Sequence, residues 1–181
     1  MSLFMSMTLF SWGIISGWLK SSKEMKREFE MTDLGLMKYF LGLEVRQGPS
    51  GIFVSQEAYS KDILKKNKMA NSNSVSTLME QGTKLSRYDG GDRVDSTRYQ
   101  SLVGSLRYLT CTRPDISYNV GVVSRFMEEP VYTHWKALKR ILQYIRGTES
   151  FGLFFSRTEE YKLVGYSDSD WGGDIDDRKC T

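Results

Sequence analysis

Along most of the chain the apolar residues follow one of two rhythms: a three-to-four spacing that builds one side of a helix, or short runs that suit strands. Between residues 22 and 31, Met25 and Phe29 stand four apart among charges, which predicts a short amphipathic helix stopped at Asp33-Leu-Gly35. Met37 to Val45 is rich in aromatic and aliphatic residues, Gln47-Gly-Pro-Ser-Gly51 carries turn chemistry, and Ile52-Phe-Val54 resumes the apolar run. This pattern predicts a β-hairpin. Ser55 is placed to cap a helix reaching about Lys68, with Tyr59, Ile63 and Leu64 on one side and Lys61, Lys65, Lys66 and Lys68 on the solvated remainder.

Residues 70 to 94 lose both rhythms and are rich in Asn, Ser, Thr, Gly and Asp, so they predict a long connecting loop across the surface. Asp95-Ser-Thr97 opens a second helix on which Tyr99, Leu102, Val103, Leu106 and Leu109 form a stripe. Pro114 suits the first turn of a third helix carrying Ile116, Val120, Val123 and Met127 and closed by Pro130. A fourth begins near Thr133 with Trp135, Leu138, Ile141, Leu142 and Ile145 in register, and Gly147 stands where a C-terminal cap belongs. Leu153 to Phe155 and Leu163 to Tyr166 read as two strands. The fold class is α+β.

Composition narrows the chemistry. The 181 residues suit about one domain, and a net charge of +3 is too small to mark a nucleic-acid binder by itself. Two cysteines are too few for a disulfide framework and fit a reducing compartment, the cytoplasm or nucleus. The single histidine, His134, excludes His-rich metal sites. Asp168, Asp170, Asp174, Asp176 and Asp177 invite a calcium-loop reading, which fails because Gly172 and Lys179 fall at loop positions that require oxygen ligands.

Residues 1 to 19 carry no charged side chain. As a signal or membrane anchor they fit poorly, because Ser2, Ser6, Thr8, Ser11, Gly13, Ser16 and Gly17 interrupt each apolar run and no Lys or Arg precedes it. A frayed terminus is the plain alternative.

Long collinear strings carry a resemblance: Phe29-Glu-Met-Thr-Asp-Leu-Gly35, Tyr39-Phe-Leu-Gly-Leu-Glu-Val45, Gly51-Ile-Phe-Val-Ser-Gln56, Tyr99-Gln-Ser-Leu-Val-Gly-Ser-Leu-Arg-Tyr-Leu109, Thr112-Arg-Pro-Asp-Ile116, His134-Trp135 with Lys139-Arg-Ile-Leu-Gln-Tyr-Ile-Arg-Gly-Thr148, and Gly165-Tyr-Ser-Asp-Ser-Asp-Trp171. Over residues 23 to 181 the chain resembles the reverse transcriptase of Ty1/copia-type retrotransposons, in the order end of palm, thumb, connection and start of ribonuclease H. Leu78 and Met79 stand where a Thr-Pro is usual, and Cys180 where a Ser is.

The resemblance implies a layout. Residues 23 to 55 resemble the end of the palm, with Tyr39, Phe40, Leu41 and Gly42 in the primer-grip hairpin; an ordinary hairpin glycine is the alternative for Gly42. Residues 56 to 150 resemble the helical thumb, which holds an RNA/DNA template-primer duplex by its phosphates. On its last helix Lys136, Lys139, Arg140 and Arg146 form a row off the apolar stripe, suited either to phosphates or simply to water. Residues 151 to 181 resemble the connection and the first strand of ribonuclease H, where Asp168 corresponds to the first carboxylate of a two-metal site, incomplete here. An isolated two-stranded hairpin is marginal in water, so loosely held ends are expected.

The family's catalytic Tyr-Val-Asp-Asp, whose aspartates bind Mg²⁺, is absent from the sequence. Coded TTT ATG TCG ATG ACN and read from the third base, Phe4 to Thr8 spells that motif, so residues 1 to about 22 read as a frame-shifted remnant of the catalytic turn. That reading requires the Ser6 codon to end in G. The expectation is thus a reverse transcriptase fragment without polymerase activity of its own, holding no cofactor or small-molecule ligand and touching no membrane. A residual nucleic-acid-binding module and a secreted or membrane-targeted effector using the uncharged N-terminus are the alternatives.

Overall fold

A computed structural model of the chain describes residues 36–157 and Asp176. The uncharged segment 1–22, the helix expected over 22–31, the strand expected over 163–166 and Asp168 lie outside the described residues. What is described is α+β: four antiparallel strands and four α-helices. The strands are β1 (Tyr39–Phe40), β2 (Leu43–Gly48), β3 (Gly51–Ser55) and β4 (Gly152–Ser156), in that spatial order. Two tight turns, Leu41-Gly42 and Pro49-Ser50, replace the single turn expected around residues 47–51.

The strand expected near residue 153 closes this sheet, because β4 pairs with β3 from Ser55 opposite Gly152 to Gly51 opposite Ser156. The hairpin is therefore not isolated. Close packing at the seam demands glycine: a Cβ on Gly152 would lie 2.3 Å from the Val54 carbonyl oxygen, and one on Gly51 2.2 Å from that of Phe155.

The helices are α1 (Glu57–Lys66), α2 (Ser96–Leu109), α3 (Ser117–Ser124) and α4 (Tyr132–Gly147), with a 3₁₀ turn at Pro114–Ile116 leading into α3. Their apolar stripes meet in one core of Ile63 and Leu64, Tyr99, Val103, Leu106 and Leu109, Ile116 and Val123, and Leu138, Ile141 and Ile145. Three-to-four spacing puts each set on one side of its helix, and burial of that side supplies most of the stability of such short helices. Tyr99 carries a hydroxyl into this core and satisfies it by donating to the Val123 carbonyl at 2.8 Å.

Several boundaries differ from those the sequence predicts, each for a local reason. Asp95 caps α2 as expected, accepting from the Thr97 and Arg98 amides. Ser55 does not cap α1: it is buried with its hydroxyl unpaired, Gln56 takes the N-cap position, and Glu44 of β2 accepts the Ala58 N–H at 2.8 Å. A carboxylate brought in from the sheet thus satisfies an orphan donor of the first turn. The third helix ends at Ser124, well before Pro130, because the chain turns to bury Phe126 against His134, with ring centroids 3.9 Å apart. Gly147 belongs to α4 itself, and Thr148 is its C-cap.

The expected surface loop is a strap. From Ala70 to Asp92 it runs back along α4, starting at the helix's C-terminal end: Arg146 donates to the Ala70 carbonyl (2.7 Å), Val75 N–H to Gln143 (3.4 Å), and Tyr132 N–H to Asp92 (3.0 Å). Leu78, Met79 and Leu85 pack on the core from it. Among the described residues no helix is long and apolar enough to cross a membrane.

Candidate nucleic-acid interface

The turn between β1 and β2 has both of its residues at positive φ, Leu41 at 47° and Gly42 at 79°. Two-residue hairpin turns take this left-handed form because it matches the twist of the flanking strands, and Gly42 suits the second place. A second constraint acts on the same glycine. The Tyr108 hydroxyl of α2 donates to the Leu41 carbonyl (2.5 Å) and would lie 2.4 Å from a Cβ on Gly42. Tyr108 is held in turn by the edge of Tyr59 from α1, with centroids 4.9 Å apart. The turn is therefore fastened to the helices from behind, while Tyr39 and Leu41 stay 71% and 68% exposed and Phe40 half-buried.

The basic row of α4 divides in two. Arg140 donates to Glu80 (3.1 Å) and Thr77 (2.8 Å) of the strap, and Arg146 to Ala70 and to Glu149 (2.9 Å). These two arginines fasten the strap. Lys139 rests over the Trp135 ring, 5.9 Å from its centroid, with Arg98 over the same ring at 4.9 Å. Lys136 is exposed and pairs with no carboxylate among the described residues.

The structure does not bring the hairpin tip and the basic row together. The tip leans on Tyr108, near the C-terminal end of α2, and the row meets α2 at Arg98, near its N-terminal end. At 1.5 Å per residue these two places are about 15 Å apart along the helix.

Two fastenings escaped the sequence pattern. Arg113, 1% exposed, grips Asp115 through Nε and Nη2 (2.9 and 2.8 Å) and Thr148 at its carbonyl (2.9 Å) and hydroxyl (2.7 Å). Its guanidinium lies over the Tyr144 and Phe151 rings, 5.7 and 5.4 Å from their centroids. Burial acts to raise the Asp115 pKa, but Arg113 outweighs it and holds the carboxyl below its usual range. The charged pair inside Thr112-Arg-Pro-Asp115 was the available signal. At the other end of α4, His134 accepts from the Val131 N–H at Nδ1 (3.2 Å) and donates from Nε2 to the Ser86 carbonyl (3.0 Å).

No cluster of three or more His, Cys, Asp or Glu side chains suited to a metal occurs among the described residues.

A family model described as "Reverse transcriptase (RNA-dependent DNA polymerase)" matches residues 8–81. The chain is 43% identical over 157 residues to the Retrovirus-related Pol polyprotein from transposon RE1 of Arabidopsis thaliana, covering 87% of this chain and 11% of that one. The chain belongs to the reverse transcriptases of copia-type retrotransposons. The corresponding polyprotein from transposon TNT 1-94 of Nicotiana tabacum is 41% identical over 171 residues, 90% of this chain and 13% of that one. The chain thus spans about an eighth or less of these polyproteins, as a reverse transcriptase fragment. It is also 51% identical over 84 residues to a Plasmopara viticola protein named Secreted RxLR effector protein 161, 46% of this chain and 59% of that one. No solved structure matches the chain.

Proposed function

We propose that this segment of the reverse transcriptase holds a template-primer duplex and leaves the chemistry to other parts of the polyprotein. In this reading the β1–β2 hairpin is the primer grip, the helices are the thumb, and Lys136 and Lys139 meet phosphates. The observation that carries it is the Leu41-Gly42 turn: an apolar residue in left-handed backbone, exposed at the tip, fastened from behind by Tyr108. Strain of this kind persists where surrounding structure enforces it, and an exposed apolar tip gains nothing from water. A partner surface gives it a use.

The sequence contains no Tyr-Val-Asp-Asp, so the 181-residue chain alone is expected to show no Mg²⁺-dependent nucleotide incorporation. Electrophoretic shift of an RNA/DNA hybrid tests the binding itself. Retardation at low salt should fade as salt rises, and the double variant Lys136→Gln/Lys139→Gln should lower the salt slope by about 1.8, or about 0.9 for each phosphate no longer neutralised. No shift at low salt, or an unchanged slope in the double variant, overturns the reading.

A further inference from the structure

A cavity of about 530 Å³ lies between the strap and α4. Met79, Leu85 and Ala137 contribute apolar lining, and the cations Lys84, Lys136, Lys139 and Arg140 outnumber the carboxylates Glu80 and Asp89. Asp89 is already committed, accepting from the Ser86 N–H (3.3 Å) and the Thr133 hydroxyl (3.2 Å). Lys84 and Lys136 pair with no carboxylate among the described residues.

Arg140 is the least satisfied group here. Two of its nitrogens hold Glu80 and Thr77, while Nε is buried with no hydrogen-bond partner. A guanidinium offers its donors as a planar fork that a phosphate can fill edge-on. The Glu80 side chain is 56% exposed, and an ion pair so open to water changes an equilibrium by no more than about fivefold. Its carboxylate is thus a weakly held occupant of a place suited to a stronger anion.

We propose that the groove between the strap and α4 is a phosphate seat, rimmed by Lys84, Lys136 and Lys139, in which Glu80 occupies Arg140 until a phosphate displaces it. The inference rests on the duplex-holding reading for the source of that phosphate, the backbone of a nucleic-acid strand, but the seat itself can be probed with a simple anion. It adds Lys84, which no periodic pattern marks, and gives Glu80 an opposing role.

Thermal unfolding of the 181-residue chain with inorganic pyrophosphate tests the seat directly. The melting temperature should rise with pyrophosphate, rise less in Lys84→Gln, and rise more in Glu80→Gln. For an RNA/DNA hybrid, Lys84→Gln should lower the salt slope by about 0.9, and Glu80→Gln should tighten binding by up to about fivefold. A Glu80 that merely braces the strap would give weaker binding when neutralised. The proposal is overturned if pyrophosphate leaves wild-type melting unchanged, if Lys84→Gln responds like wild type, or if Glu80→Gln weakens binding. Stabilisation by pyrophosphate without hybrid binding would overturn the duplex-holding reading and keep the seat; hybrid binding without stabilisation would do the reverse.

Discussion

His134 is buried, stacked on Phe126 and hydrogen-bonded at both ring nitrogens, so the neutral tautomer with its proton on Nε2 suits its surroundings. Burial pushes its pKa down, against the Ser86 carbonyl and the Asp89 and Asp176 carboxylates, which push it up. The unfolded chain therefore takes up a proton near pH 6.5 while the folded chain still resists, and stability present above that pH is lost as pH falls below it. The unfolding free energy from urea titration should drop between pH 7 and pH 5, by at most about 1.4 kcal/mol per pH unit from this residue, with a flatter profile in His134→Gln. An equal slope in both proteins would show that other groups are responsible. The sequence singled out His134 by its solitude, but nothing in the pattern tells that its partner is a backbone carbonyl of the strap. Gly42 was half legible in the same sense: the resemblance put it in a hairpin, whereas the Tyr108 hydroxyl that forbids a Cβ lies far along the chain.

Among the elements, the helices were legible because three-to-four spacing is a local signal, and the core stripes of α2 and α4 contain the residues the pattern names. Their ends were less so, since Glu44 at α1 and Arg113 at α4 are supplied by other segments. Arg113 ties the 3₁₀ turn to the last turn of α4, where its charge also meets the negative end of the helix. Arg113→Met takes the donor from the Thr148 carbonyl and leaves Asp115, whose side chain is 34% exposed, to the Tyr144 hydroxyl and water, so it should cost about 2 kcal/mol, less than breaking a fully buried charged pair does. For a chain of this size that is a drop in melting temperature of about 6 °C. A loss under 1 kcal/mol in chemical denaturation would mean that the grip is incidental. The basic row of α4 was visible as a row, but not its division, because Thr77, Glu80 and Ala70 engage Arg140 and Arg146 from a stretch with no rhythm.

At the scale of the whole molecule, the sheet joins segments that the sequence shows only as separate apolar runs. A strand near residue 153 was expected, but its neighbour was not, since pairing across about a hundred residues leaves no local trace. Gly152→Val places a side chain against the Val54 carbonyl and should undo this join first. Amide hydrogen exchange in β3 should then quicken, while amides of α2, buried in the helical core, keep their protection; uniform loss of protection would show that sheet and helices unfold as one unit. The same join sets an order of events during synthesis. At 5 to 20 residues per second, β3 waits roughly 5 to 20 s after it is made before β4 exists to pair with it. Throughout that interval the growing chain carries an open strand edge, the kind of template on which nascent chains associate. Slowing translation between Ser55 and Gly152 should therefore lower the soluble yield of this protein, although the finished fold is unaltered.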